Sequence, residues 1–346
     1  MGGRGFAIGC LAGAALALGA CGSEGSDDPS GAAAKPDLGS DPATLVVYSA
    51  RGRDLTGELL EEFTRKTGIE HEARYGDTLT LAEAIVKEGR ATPADILIFE
   101  DVGALGDLDS AGGLDLLPAD IQDRIPDRYN SGYWIGTSAR VRAIAFDRER
   151  IAASAVPDSV LDLTEPEYAD EVGWAPKATS FQTFVSGLRR TEGERGAERW
   201  LREMKANGAR AYADDGAIVD AIALGEIRYG LVDRQSVVMA RARDASLPVG
   251  VHEPTGGDPG ALVTLAGIAQ VENASPDRDD GEAFIRFVLS RQARIVAATK
   301  EYPIVPGRGS RQGSTPLAAI EQPDVHPSEL GDLEGSRYLL RRLGIL

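Results

Sequence analysis

The chain has 346 residues, a net charge of −17, two cysteines and three histidines. Negative charge spread along the sequence excludes nucleic acid and anionic lipid surfaces as partners, and so few cysteines and histidines exclude a thiolate or histidine-rich metal site. The globular length, roughly 300 residues, is enough for a large core and usually divides into about two domains.

The N-terminus reads as an export leader. Arg4 precedes an apolar run from Phe6 that is shorter than the about 20 residues a membrane span needs. The run closes on Leu16-Ala17-Leu18-Gly19-Ala20-Cys21, and its last four residues have the form of a bacterial lipobox. In that motif the cysteine is lipidated and becomes the new N-terminus. The alternative is an ordinary cleaved signal in which Cys21 is incidental; either way the protein leaves the cytoplasm. Residues 1–20 are then signal peptide, and residues 21–43, rich in Gly, Ser, Asp, Ala and Pro, form a flexible tether. Both cysteines, Cys10 and Cys21, lie before the fold, so the fold has no disulfide.

Order begins at Thr44. Leu45-Val46-Val47-Tyr48 suits a strand buried on both faces. A helical pattern follows with Leu55, Leu59, Leu60 and Phe63 on one face, stopped by Gly68. Strands over 70–75 and 94–99 flank a helix over 79–88, which predicts βαβ units around a parallel sheet. Residues 141–146 alternate like a strand and are the candidate crossing into a second lobe. There, strands near 172–174, 209–212 and 227–232 are expected among helices over 179–190, 193–207 and 217–224. Residues 260–267 form a candidate return crossing, followed by one amphipathic helix over 281–299. The expected division is a first lobe at 44–140, a second at 141–258, a return crossing and C-terminal helix at 259–306, and a tail at 307–346 wrapping the fold. Two α/β lobes joined by two strand crossings make a hinge with a ligand cleft between them.

Several segments carry a family likeness in order along the chain. They include Tyr48-Ser49-Ala50-Arg51, Pro93-Ala94-Asp95-Ile96-Leu97-Ile98-Phe99-Glu100-Asp101, Thr137-Ser138-Ala139-Arg140, Val172-Gly173-Trp174-Ala175-Pro176 and Glu301-Tyr302-Pro303. From residue 44 to 346 the chain resembles the periplasmic ferric-iron-binding proteins, the solute receptors of iron ABC transporters. The resemblance implies the two-lobe periplasmic-binding-protein fold, no enzymatic activity, and partnership with an ABC permease and its ATPase. It also implies a monomer held in the cell envelope through a lipid anchor only. Cargo would be iron(III) with a synergistic anion, carbonate or citrate, with no tightly bound cofactor.

The likeness also locates the candidate site. Family members carry two adjacent tyrosine ligands where this chain has Gln235 and Ser236, which removes two anionic oxygen donors. Glu100 matches a carboxylate that ligates iron in some members; otherwise it is a turn residue after a buried strand. Arg140, after Ser138, matches the arginine that holds carbonate, and its planar donor fork suits an oxyanion. Ser49 and Arg51 leave the carboxyl end of the first strand, where clefts open in such sheets. Asp214 and Asp215 precede a helix and either cap it or face a cation. Asp233 and Arg234 form a cleft pair or a surface salt bridge. A receptor for an oxyanion or small organic anion on the same fold is the alternative, and it predicts a net-positive cleft; a sensor or adaptor without transport is a third reading.

Overall fold

The computed structural model describes residues 44–272, 278–305 and 316–346; the lipobox and tether lie outside them. Strand β1 (Thr44–Ser49) is buried from Leu45 onward. Helix α1 (Arg53–Thr67) buries Leu59, Leu60 and Phe63, and Gly68, at φ 80°, ends it by donating its N–H to the Thr64 carbonyl. The alternation continues through β2 (Glu70–Tyr75), α2 (Thr78–Glu88), β3 (Ile96–Phe99), α3 (Val102–Ser110) and the single turn α4 (Ala119–Gln122) to the long β4 (Trp134–Asp147). Beyond it come β5 (Val172–Trp174), α5 (Thr179–Thr191), α6 (Gly193–Ala206), β6 (Arg210–Ala211), α7 (Asp215–Ala223) and β7 (Tyr229–Asp233). Then follow α8 (Arg234–Arg243), β8 (Val249–His252), β9 (Val263–Gln270), α9 (Arg278–Ser290), α10 (Gln292–Thr299) and α11 (Leu333–Arg342).

Strand order is β2-β1-β3-β9-β4-β7-β5-β6, with β8 also on β4. β1 runs parallel to β2 and β3, and β5 parallel to β6 and β7, as strands joined by helices must. β4 divides its partners: residues 134–141 pair with β9, whereas 142–147 pair with β7 and β8. The hydrophobic core divides at the same point. Val141 packs in a cluster with Phe63, Phe99, Trp134 and Phe284, while Ile144 packs with Trp174, Phe181, Phe184 and Trp200. Two lobes therefore meet along β4, and the chain returns at Leu262, whose carbonyl accepts the Arg142 N–H.

Three features depart from expectation. The helix anticipated over 281–299 is two helices, because Arg291 (φ −107°, ψ 13°) leaves helical geometry and turns its guanidinium to Glu62 of α1 at 2.6 Å. The strand anticipated over 141–146 is the second half of a 14-residue strand. The C-terminal segment does more than wrap the fold. A 3-10 turn at Pro327–Leu330 packs on α3 in the first lobe, and α11 with Leu343 just beyond it adds Leu339, Leu340 and Leu343 to the second lobe's core. Between them lies Gly331, where a Cβ would come within 2.6 Å of the Gly103 carbonyl oxygen. Only glycine allows that close backbone approach.

Asp107 of α3 faces this strap. Asp107 is itself exposed, but partial desolvation against the strap, with Asp332 and Asp101 adding like charge, pushes its carboxyl up to about 6. A folded-state value above the unfolded one, about 3.9, means that ionisation opposes folding. The penalty is absent below about pH 4, grows through pH 6 and is complete above it. Asp107→Asn is therefore expected to raise the melting midpoint slightly at pH 7.5, solvent screening keeping the gain small, and to leave it unchanged at pH 4; no rise at pH 7.5 would refute the desolvation argument.

Candidate functional site

The residues at the N-termini of α2, α3, α5, α7 and α8, at the carboxyl ends of strands, line one cleft, the usual ligand position in open α/β sheets. Its two chambers, about 490 and 540 Å³, share Glu100, Arg140 and Gln235. Arg51 and Glu301 line the first; Asp215 and Asp233 line the second.

A buried ionic knot organises the first chamber. Arg51 Nη2 lies 2.5 Å from Glu301 Oε2, and the Ser138 hydroxyl donates to the same oxygen. Arg140 Nε lies 3.9 Å from Glu301 Oε1, and its Nη1 lies 3.9 Å from Glu100 Oε2. Arg140 also donates to the Glu100 carbonyl. Burial would push Glu301 up, but Arg51 and Arg140 outweigh it and hold the carboxyl below its usual range. Burial likewise disfavours the Arg140 charge, yet Glu301, Asp233 and Glu100 raise its pKa above the ordinary arginine value. Both guanidiniums keep spare donors: Arg51 Nε and Nη1 and Arg140 Nε are buried and make no hydrogen bond.

Beneath the second chamber, Arg142 is 1 % exposed. Its Nη1 lies 3.0 Å from Asp233 Oδ1 and 3.5 Å from Asp215 Oδ2, and its Nη2 donates to the Leu231 carbonyl at 2.9 Å. The Phe181 and Phe184 rings lie 6.0 and 5.8 Å from the guanidinium. Asp215 Oδ2 also accepts the Asp233 N–H at 2.7 Å. Burial pushes the Asp215 carboxyl up to about 6, with Arg142 opposing and Asp233 adding to the rise. Asp101 caps α3 by accepting the Gly103 N–H and also accepts the Thr183 hydroxyl of α5, a contact between the lobes. Burial raises its pKa against the pull of Thr183 and Arg140.

Of the residues expected at the site, Arg51, Glu100, Arg140, Asp215, Asp233 and Gln235 line the cleft. Ser49 and Ser138 do not. Ser49 is fully buried and its hydroxyl bonds the Arg51 backbone and Thr56; Ser138 is spent on Glu301. Cys21 lies outside the described residues. Asp233 does not pair with Arg234: consecutive residues point apart, Asp233 meeting Arg142 while Arg234 meets Glu253 at 2.7 Å. Asp214 is the cap of α7, accepting the Ala217 N–H. Glu301, Arg142 and Thr183 were not anticipated. For Arg142 the signal was an arginine inside an otherwise apolar strand; for Glu301 and Thr183 only their fit to the family motif or helix pattern was visible.

Among the described residues, no tyrosine lines either chamber; Tyr302 donates instead to Glu253 at 2.8 Å. Among the described residues, no group of three or more His, Cys, Asp or Glu side chains is placed to hold a metal ion. Nor, among them, is any helix long and apolar enough to cross a membrane.

Comparison with known proteins bears on this geometry. The profile of a family described as bacterial extracellular solute-binding protein matches residues 91–323. The major ferric iron-binding protein of Neisseria meningitidis serogroup B is 29% identical over 316 residues, covering 88% of this chain and 93% of that protein. The Fe(3+)-binding periplasmic protein of Serratia marcescens is 28% identical over 293 residues, covering 83% and 86%. Among solved structures, iron-bound HitA from Pseudomonas aeruginosa matches with TM-score 0.81 at 29% identity, covering 88% of this chain and all of that one. A Trichodesmium protein in complex with iron and citrate matches at TM-score 0.76 and 24% identity, covering 87% and 99%. These neighbours share the two-lobe fold.

Proposed function

Because the chain belongs to the bacterial extracellular solute-binding protein family, we propose that it is the lipid-anchored receptor of an ABC importer and that its cargo is iron(III) carried as an anionic chelate. The relatives named as ferric iron-binding proteins support the metal. One observation carries the chelate: the cleft offers spare cationic donors on Arg51 and Arg140 but no three-residue donor group of its own among the described residues. Iron(III), a hard cation, prefers anionic oxygens. Here Glu100, half-exposed at the meeting of the chambers, supplies one, and citrate or a similar polycarboxylate brings the rest. The chelator's carboxylates rest on Arg140 and Arg51, whose forks bind such groups in bidentate fashion. The first turns of α5 and α8, which no side chain caps, add N–H donors for the same charge. Lobe closure then buries the chelate, and the closed form docks on the permease. Cys21→Ser should release the protein from the membrane fraction; retention would refute the anchor.

An iron-free oxyanion fits less well. Asp77, Glu100, Asp101, Asp214, Asp215 and Asp233 line the second chamber against Arg140 alone, a charge balance that opposes a free oxyanion and that a chelate meets by bringing iron(III), whose positive charge faces Glu100. Thermal unfolding with a ligand panel separates the two. Ligand at about 100 times its dissociation constant adds about 2.7 kcal/mol of stability. A midpoint rise with ferric citrate but not with citrate, phosphate or iron-free bicarbonate is expected. A rise with an iron-free anion alone would overturn the proposal.

A further inference from the structure

The carboxylates of the second chamber are mostly engaged. Asp77, Asp101 and Asp214 cap their own helices, and Asp233 serves Arg142. Two buried acceptors remain without a donor. Asp215 is 8 % exposed, and its Oδ2 takes the Asp233 amide and Arg142 while its Oδ1 makes no hydrogen bond. Gln235 Oε1 is likewise buried and unpartnered. Acceptors left without donors in a closed cleft are costly, so the occupant must donate. A bare metal ion does not fit: the described acidic groups do not converge in threes, and about 540 Å³ far exceeds an ion's needs. A hydroxyl would satisfy an acceptor, but Asp215 and Asp233 share the one guanidinium of Arg142, so one negative charge of the pair would stay unmatched. An ammonium group supplies three donors, no acceptor and the opposite charge.

We propose that the second chamber, through Asp215 and Gln235, receives a protonated amine borne by the chelate whose carboxylates lie on Arg140 and Arg51. The cargo is then a two-ended molecule, anionic at the metal and cationic at a side arm. This deepens the chelate reading of the same cleft and rests on it for the anionic end.

The test uses two iron(III) nitrilotriacetate probes, one carrying an aminobutyl arm and the other the same arm acetylated, titrated into the purified protein by calorimetry. The free amine is expected to bind at least about tenfold more tightly, and Asp215→Asn to erase that preference. The comparison of the two probes on the unaltered protein does not depend on any variant folding. Equal affinities would overturn the amine subsite and leave the chelate reading standing. Binding of butylamine with neither chelate bound would retain the subsite and overturn the chelate reading. No binding of any probe would overturn both.

Discussion

Replacing Arg142 with leucine is expected to destabilise the protein by about 3–5 kcal/mol, the usual cost of removing one member of a buried ion network. Arg142 sits in β4 where the strand passes from one core to the other, and it is almost fully buried with both partners, Asp233 and Asp215. Leucine would fill much of the space against Phe181 and Phe184. It would also leave two carboxylates in a low-dielectric site without a counter-charge, and the Leu231 carbonyl without its donor. Adding Asp215→Asn and Asp233→Asn to Arg142→Leu should recover most of the loss, because well-packed neutral replacements of a buried ion group are often tolerated. Urea unfolding of the three proteins measures this. A single-variant cost below about 1 kcal/mol, the range of exposed pairs, would show that the group is solvated rather than buried.

Binding is expected to depend most on Arg140. Arg140→Gln should weaken ferric citrate affinity by about 100-fold or more, since two hydrogen bonds to a charged group, each about 1.5–3 kcal/mol, are lost. The arginine is held ready by its neighbours: Glu301 and Glu100 flank it, and Glu301 is itself fixed by Arg51 and Ser138. Its Nε has no protein hydrogen-bond partner. Glu301→Gln should therefore weaken binding by less, by loosening Arg140 rather than removing it. Isothermal titration of both variants decides the order; a larger loss from Glu301→Gln than from Arg140→Gln would contradict it.

Local periodicity made the parallel half of each lobe legible. Leu45 to Tyr48 and Ile96 to Phe99 are continuous apolar runs, and they became β1 and β3. What sequence could not give was pairing. Nothing local shows that Trp134 to Val141 joins β9 while Arg142 to Asp147 joins β7 and β8, because that partition is fixed by two separate cores. Helix α8 buries Val237 alone of its ten residues, so its apolar period was too weak to read. At the site, Arg140 and Glu100 were legible through the family motif. Glu301 was not, because its role depends on a fold that brings it beside Arg51, 250 positions away in sequence. Ser49 and Ser138 were misread for a related reason: hydroxyls near a cleft are as readily spent on fixing its walls as on ligand.

The central claim, that the cleft takes iron together with its chelator, is tested most directly by equilibrium dialysis against ferric citrate with iron and citrate separately labelled. Both labels are expected to be retained together in a fixed ratio on the unaltered protein and lost together in Arg140→Gln. Retention of iron without citrate would mean that the protein supplies the donors itself, and retention of citrate without iron would mean an anion receptor; either result would contradict the account.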